Sequence, residues 1–264
     1  MPDTNGTCEY VLDPADPDTW GGEEGDKCYL DEEQLNDEGV WTCPHETKED
    51  DNLCLLHQPV DIKGDEEVTD EFFDILNNTQ ERKTTFVGSR FGSFTIEKEH
   101  IASEVDTLSF CHSTFERLEF IDMRFSMAVD FSGTRITEES YFNGTLFDST
   151  VHFVGVETST VHFPEVKFEG EVRIRDSTFG LVYFSACYFG QDTQFYSLEF
   201  TDGVSLERAR FDGICSFYET TITRTADFSN AEFNDEANFW KTDFDGKVEV
   251  ANTEFFGEVF FKET

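Results

Sequence analysis

Residues 206–246 read LERARFDGICSFYETTITRTADFSNAEFNDEANFWKTDFDG, and their large apolar residues recur with a period of eleven. Phe211, Ile222, Phe233 and Phe244 form one ladder; Leu206, Phe217, Phe228 and Phe239 form another, so the rungs alternate in steps of five and six. Downstream the ladders continue through Val250, Phe255 and Phe261. Upstream they run through Phe200, Phe195, Phe189, Phe184, Phe179, Ile174, Phe168, Phe163, Phe153, Phe147, Phe142, Ile136, Phe131, Phe125, Phe120, Phe115 and Phe110, with Thr158 as the one weak rung. A regularity of this length is an internal repeat, and the repeat governs the fold.

Two further patterns give the spacing a geometry. Two residues before the rungs sit smaller side chains, such as Val129, Val151, Val161, Val172, Ala209, Cys215, Ala226, Ala231 and Ala237. Residues i and i−2 point the same way in an extended segment. Two residues after many rungs sits Gly or Asn, as at Gly133, Gly144, Gly170, Gly213, Asn230 and Gly246. Such residues tolerate the left-handed backbone of a tight turn. A helix fails on the period, because steps of five and six scatter the rungs around a helix of 3.6 residues per turn. The chain instead makes short extended sides with regular corners, which winds it into a solenoid.

These units, roughly Ala-x-Phe-x-Gly with an extra residue in alternate units, resemble pentapeptide-repeat proteins over about residues 84–261. The resemblance implies an all-β solenoid: a right-handed quadrilateral parallel β-helix, with Phe at each face centre and the small residue beside it, both inside. Four sides of five and six residues make about 22 residues per coil and about eight coils, a rod near 40 Å long at the ordinary strand spacing. Before the coils, Thr69-Asp70-Glu71-Phe72-Phe73-Asp74-Ile75-Leu76 carries a capping residue, first-turn acids and an apolar stripe. It predicts a short helix ending near Arg82 that caps the N-terminal end of the solenoid. The expected organisation is an acidic Cys/His-rich module over 1–60, a linker and capping helix over 61–83, and the repeat β-helix over 84–264.

The 264 residues carry 57 acids against 19 Lys and Arg, a formal charge of −38, with 30 Phe and 15% aromatic residues. Aromatic content of that order excludes an ordinary disordered acidic chain. The field repels phosphate backbones and anionic lipid, so neither nucleic acid nor membrane is an expected partner. Met1 is followed by Pro-Asp-Thr-Asn rather than a basic and apolar leader, and no apolar run reaches membrane-spanning length, which predicts a soluble, cytoplasmic protein. The dispersed acid and scarce lysine resemble halophilic archaeal proteins, in which carboxylates hold hydration in molar salt.

The first sixty residues lack the period but hold Cys8, Cys28, Cys43, Cys54, His45 and His57. A stretch too small for its own core commonly uses a staple, and tetrahedral zinc takes four sulfur or imidazole ligands. A structural zinc site, buried unliganded thiols and a redox pair are the three readings. The resemblance to short Cys/His modules that precede β-helices in halophilic archaeal proteins favours Cys8, Cys43, Cys54 and His57 as zinc ligands, with Cys28 and His45 in reserve.

Catalysis finds no constellation. His152 and His162 are expected to face outward on opposite sides of the coil, Cys187 and Cys215 inward, and Cys111 outward as a lone thiol. Arg173, Arg175, Arg208 and Arg210 are expected to pair with neighbouring acids. The sequence carries no phosphate loop, triad pattern or dinucleotide fingerprint. The expected function is therefore a non-enzymatic scaffold or protein-interaction protein. The alternative implied by the resemblance is a DNA-mimicking inhibitor or modulator of a type II topoisomerase. The aromatic segment Phe255-Phe256-Gly257-Glu258-Val259-Phe260-Phe261 further predicts a homodimer through the C-terminal coil.

Overall fold

The computed structural model describes residues 6–48, 51–77, 84–102 and 107–263. Phe189 pairs with Phe211, Phe211 with Phe233 and Phe233 with Phe255, all in parallel register, so each circuit there takes 22 residues. The pairing builds three long parallel sheets: two of eight strands and one of eleven. One eight-stranded sheet carries the column Ile101, Phe125, Phe147, Phe168, Phe189, Phe211, Phe233 and Phe255. The other carries the i−2 column Leu108, Val129, Val151, Val172, Thr193, Cys215, Ala237 and Val259. Longer strands such as Glu157–His162 give the eleven-stranded sheet two columns, one through Phe115, Ile136, Thr158 and Phe179, the other through Val161, Val182 and Val204. The protein is an all-β parallel solenoid with a short α-helix.

Every rung from Phe110 to Phe239 except Thr158 is buried, and so are the i−2 residues named above apart from Val259. Rings stack along each column: Phe147 on Phe168 at 5.3 Å and 4°, Phe189 on Phe211 at 4.5 Å and 4°, Phe211 on Phe233 at 4.8 Å and 7°. Each coil thus offers its neighbours flat apolar faces at the spacing the strands impose, and stability propagates from coil to coil. Thr158 stands in its column between Ile136 and Phe179, and its hydroxyl is buried without a hydrogen-bond partner.

The corners differ from the expectation in one respect. Gly203 aside, left-handed backbone beyond Phe131 recurs after alternate rungs, at Gly133, Gly144 and Gly155 and then at Glu165, Asp176, Ala186, Ser197, Arg208, Glu219, Asn230, Lys241 and Asn252. Most of these are not glycine. Gly170, Gly213 and Gly246 lie on the other corners without positive φ; there a Cβ would run into the backbone of the preceding coil at Ser149, Gln191 and Arg224. Close approach between coils selects those glycines, not a left-handed turn.

The helix, α1, spans Asp65–Asn77, starting four residues before the expected cap. Thr69 lies inside it, its hydroxyl donating to the Asp65 carbonyl at 2.9 Å, while the Asp65 carboxylate accepts from the Ser93 amide at 3.2 Å. The expected end near Arg82 falls outside the described residues. Phe72, fully buried, sits 4.7 Å from the Phe86 ring, 5.2 Å from Phe94 and 6.0 Å from Phe110, so α1 plugs the first coil. At the opposite end Phe255, Phe256, Phe260 and Phe261 are exposed, Phe256 at 65% and Phe261 at 62%.

The N-terminal segment is held by two short antiparallel pairings, Gly6–Thr7 with Glu46–Thr47 and Val11–Leu12 with Trp41–Thr42. It then lies along one corner of the solenoid. The Tyr10 ring covers Gly88 and the Tyr29 ring covers Gly155, where any Cβ would collide with them. The Tyr29 amide donates to His112 Nε2 at 2.9 Å, and Arg135 donates to the Gly21 carbonyl at 3.1 Å. Gly155 is both left-handed and overlaid, so its replacement is excluded on two independent grounds.

Candidate metal centre

The two hairpin pairings set Cys8, just past Gly6–Thr7, beside Cys43, just past Trp41–Thr42. Cys54 leads into a single 3₁₀ turn, Leu55–His57, which carries His57 back over the sulfur atoms. The four ligand atoms of Cys8, Cys43, Cys54 and His57 lie within 4.8 Å of one another, and all four residues are buried. Cys28 and His45, the reserve candidates, are not among them. Cys28 is half-buried elsewhere, with burial pushing its thiol up; His45 turns its Nε2 to the Thr85 carbonyl at 2.9 Å.

Cys43 and Cys54 place their sulfurs 3.8 Å apart, and His57 Nδ1 stands 3.1 Å from Cys54 Sγ and 3.6 Å from Cys8 Sγ. A tetrahedron with zinc–sulfur bonds of about 2.3 Å has sulfur–sulfur edges of about 3.8 Å, whereas a disulfide needs about 2.05 Å. All three cysteines are free thiols. Backbone amides point at the sulfurs, Cys54 N–H at Cys8 Sγ (3.2 Å) and His45 N–H at Cys43 Sγ (3.4 Å), which favours thiolate over thiol. Cys8 is held far below the usual thiol range by its hydrogen bonds with Cys43 and Cys54 and by His57. Cys43 is driven the other way by its hydrogen bonds with Cys54 and Cys8 and by burial.

The outer shell completes the fit. His57 Nε2 is 2.9 Å from the Val87 carbonyl, which can only accept, so Nε2 carries the proton and the Nδ1 lone pair faces the sulfurs. The Tyr10 ring stacks on His57 at 4.0 Å and 14°. Three thiols and one imidazole, enclosed and oriented from outside, are consistent with a structural zinc site. Sequence reasoning missed Val87, thirty residues beyond His57, and Tyr10, which stands two residues after Cys8 but belongs to no ligand motif.

The remaining candidates resolve as follows. Cys187 and Cys215 are buried inside the coil, Cys187 Sγ donating to the Phe163 carbonyl at 2.8 Å. Cys111 is fully buried rather than outward and open; burial raises its pKa, with Asp130, Cys28 and Asp31 also acting on it, because the N-terminal segment covers this corner. His162 is partly exposed, stacked between Tyr141 and Tyr183 at 4.6 Å on each side. Arg173 pairs with Glu171, Arg208 with Glu207, and Arg210 with Asp212 and Glu232. Arg175 departs from the expectation, bonding Gln194 and lying over the Tyr196 ring. A cleft of about 190 Å³ runs beneath Trp20 and Tyr29. Its histidine, His112, is pushed down to about 4 by burial and already accepts the Tyr29 amide, so it is no general base.

A family model for pentapeptide repeats in nine copies matches residues 195–243 and 206–254. No curated protein and no solved structure matches the chain. With the fold above, the match defines a pentapeptide-repeat-like β-solenoid bearing an N-terminal Cys/His cluster. No helix among the described residues is long and apolar enough to cross a membrane.

Proposed function

We propose that this protein is a non-enzymatic scaffold, a right-handed, four-sided rod that presents rigid rows of polar side chains to protein partners in the cytoplasm. The observation that carries the reading is the coil-to-coil pairing, which holds outward rows such as Thr114, Arg135, Glu157, Thr178, Glu199 and Thr221 at fixed strand spacing. A surface of this kind offers extended, pre-organised contact and no substrate cavity of its own. The two columns of the eleven-stranded sheet support four sides folded from three sheets. The charge of −38 serves hydration in concentrated salt, as in the halophilic proteins it resembles.

The same charge on a rod of even width supports the second reading, mimicry of DNA toward a type II topoisomerase. In molar salt the screening length falls to about 3 Å, which removes most of the reach such mimicry needs. A supercoiling assay with gyrase at high salt separates the two. The scaffold reading expects no inhibition as protein is titrated; dose-dependent inhibition would replace it with mimicry.

The C-terminal coil supplies a second docking element. Phe255 stacks on Phe233 and Phe261 on Phe239, each at 4.9 Å, leaving their outer faces bare beside the unpaired strand edges. A second copy brings the same columns to a two-fold contact, which makes the homodimer the proposed occupant. Sedimentation velocity in molar salt is expected to show a dimer that Phe256→Asp converts to monomer; a wild-type monomer at all concentrations removes the proposal.

A further inference from the structure

We propose that the metal centre is a latch that completes the open strand edge of the first coil, with His57 and His45 donating where the backbone of a preceding coil would. The inference rests on the reading of Cys8, Cys43, Cys54 and His57 as a metal site and adds what that site does for the rod.

Within the solenoid the amides of a strand alternate, one donating to the next coil and its neighbour to the coil before. The Phe86 amide bonds the Ser109 carbonyl at 2.7 Å, and the Gly88 amide bonds the Cys111 carbonyl at 2.9 Å. Thr85 is bridged in parallel to Ser109, so the Thr85 and Val87 carbonyls of the first coil occupy the places that Ser109 and Cys111 hold in the second. Those two carbonyls would accept from a preceding coil. They accept instead from imidazoles, Thr85 from His45 Nε2 and Val87 from His57 Nε2, each at 2.9 Å. Two side-chain N–H groups thus reproduce the alternate amides of a β-strand along an edge that would otherwise be unpaired.

Both imidazoles are placed by the metal cluster. His57 is a ligand through Nδ1, and His45 lies two residues beyond Cys43, its own amide bonded to the Cys43 sulfur at 3.4 Å. The Leu55–His57 turn is also tied down from α1's side, since Lys63 Nζ donates to the Leu55 and Leu56 carbonyls at 2.8 and 3.0 Å. Phe72 of α1 covers the apolar interior of the end, while the histidines cover its backbone edge. A bound ion fixes the geometry of both histidines at once, so its removal releases the edge; in a nearest-neighbour stack the effect fades within a coil or two.

The test uses the full-length, metal-loaded protein, with zinc content measured alongside hydrogen–deuterium exchange. Chelation is expected to raise exchange in peptides spanning 84–97 by at least about tenfold and to leave peptides spanning 193–240 unchanged. His57→Cys supplies a fourth thiolate, so it should keep zinc and still lose protection over 84–97, which separates the latch from metal binding itself. His45→Leu should lose protection with zinc retained, and His45→Gln, whose amide offers an N–H at similar reach, should restore it. Zinc bound in the wild type with no change over 84–97 in any of these would overturn the latch while the metal site stands. A wild type that binds no metal overturns both.

Discussion

Cys54→Ser protein is expected to lose its zinc and, with it, the tertiary structure of the N-terminal segment, while the coils beyond the second keep theirs. The segment has little else to hold it. Its four pairing strands are two residues long each, and its buried apolar residues outside the ligands are few, chiefly Leu12, Trp41, Leu55 and Leu56. Domains of this size commonly fold only with a staple, and a structural zinc contributes its binding free energy directly to folding. Metal analysis after desalting and the fluorescence of Trp20 and Trp41 report the segment, and far-ultraviolet circular dichroism reports the solenoid. A Cys54→Ser protein with full metal content would show that the ligand set is wrong.

The second large effect belongs to the interior. Phe211→Ala is expected to destabilise by about 3 to 5 kcal/mol, because a fully buried ring is replaced by a cavity that neighbouring coils cannot close. Phe211 is stacked on both faces, and strand pairing fixes the spacing of Phe189 and Phe233 above and below it. Two comparisons make the measurement specific. Phe256→Ala, at an exposed position, should stay within about 0.5 kcal/mol of wild type if the protein is monomeric in the assay. Thr158→Val keeps the shape and removes a buried unbonded hydroxyl, and should stabilise by about 1 kcal/mol. Guanidinium melts of the three proteins give the order directly; equal midpoints would mean that the columns do not bear the stability assigned to them.

The columns were legible because their cause is local. A rung and its small partner two residues back are set by strand alternation, and repetition removes the ambiguity that any single short strand would carry. What lay outside the reading depended on distant chain. Thr69 has the chemistry of a helix cap, but the helix begins at Asp65, whose carboxylate meets the Ser93 amide of the first coil. Cys111 fits no inward position of the rung pattern, yet it is fully buried, with Cys28 and Asp31 of the N-terminal segment close enough to act on it. Gly170 resembles a turn glycine in sequence, yet what selects it is Ser149, one circuit earlier. The Cys/His content of the module was visible by residue type, although Cys8 reaches Cys43, Cys54 and His57 through hairpin pairing across the module. The use of His45 as an edge donor had no signal, because its acceptor is forty residues away in a structure of different kind.

The equivalence of Phe189, Phe211, Phe233 and Phe255 has a bearing on how such a molecule changes length. Genetic gain or loss of one whole circuit joins like to like at the splice, so the interior on either side still meets a matching neighbour. A cut that is not a whole number of repeat units would break the match of rung to rung at the splice. Duplication and deletion in this chain are therefore quantised, and its dimensions can be adjusted in discrete increments without redesigning the parts that remain.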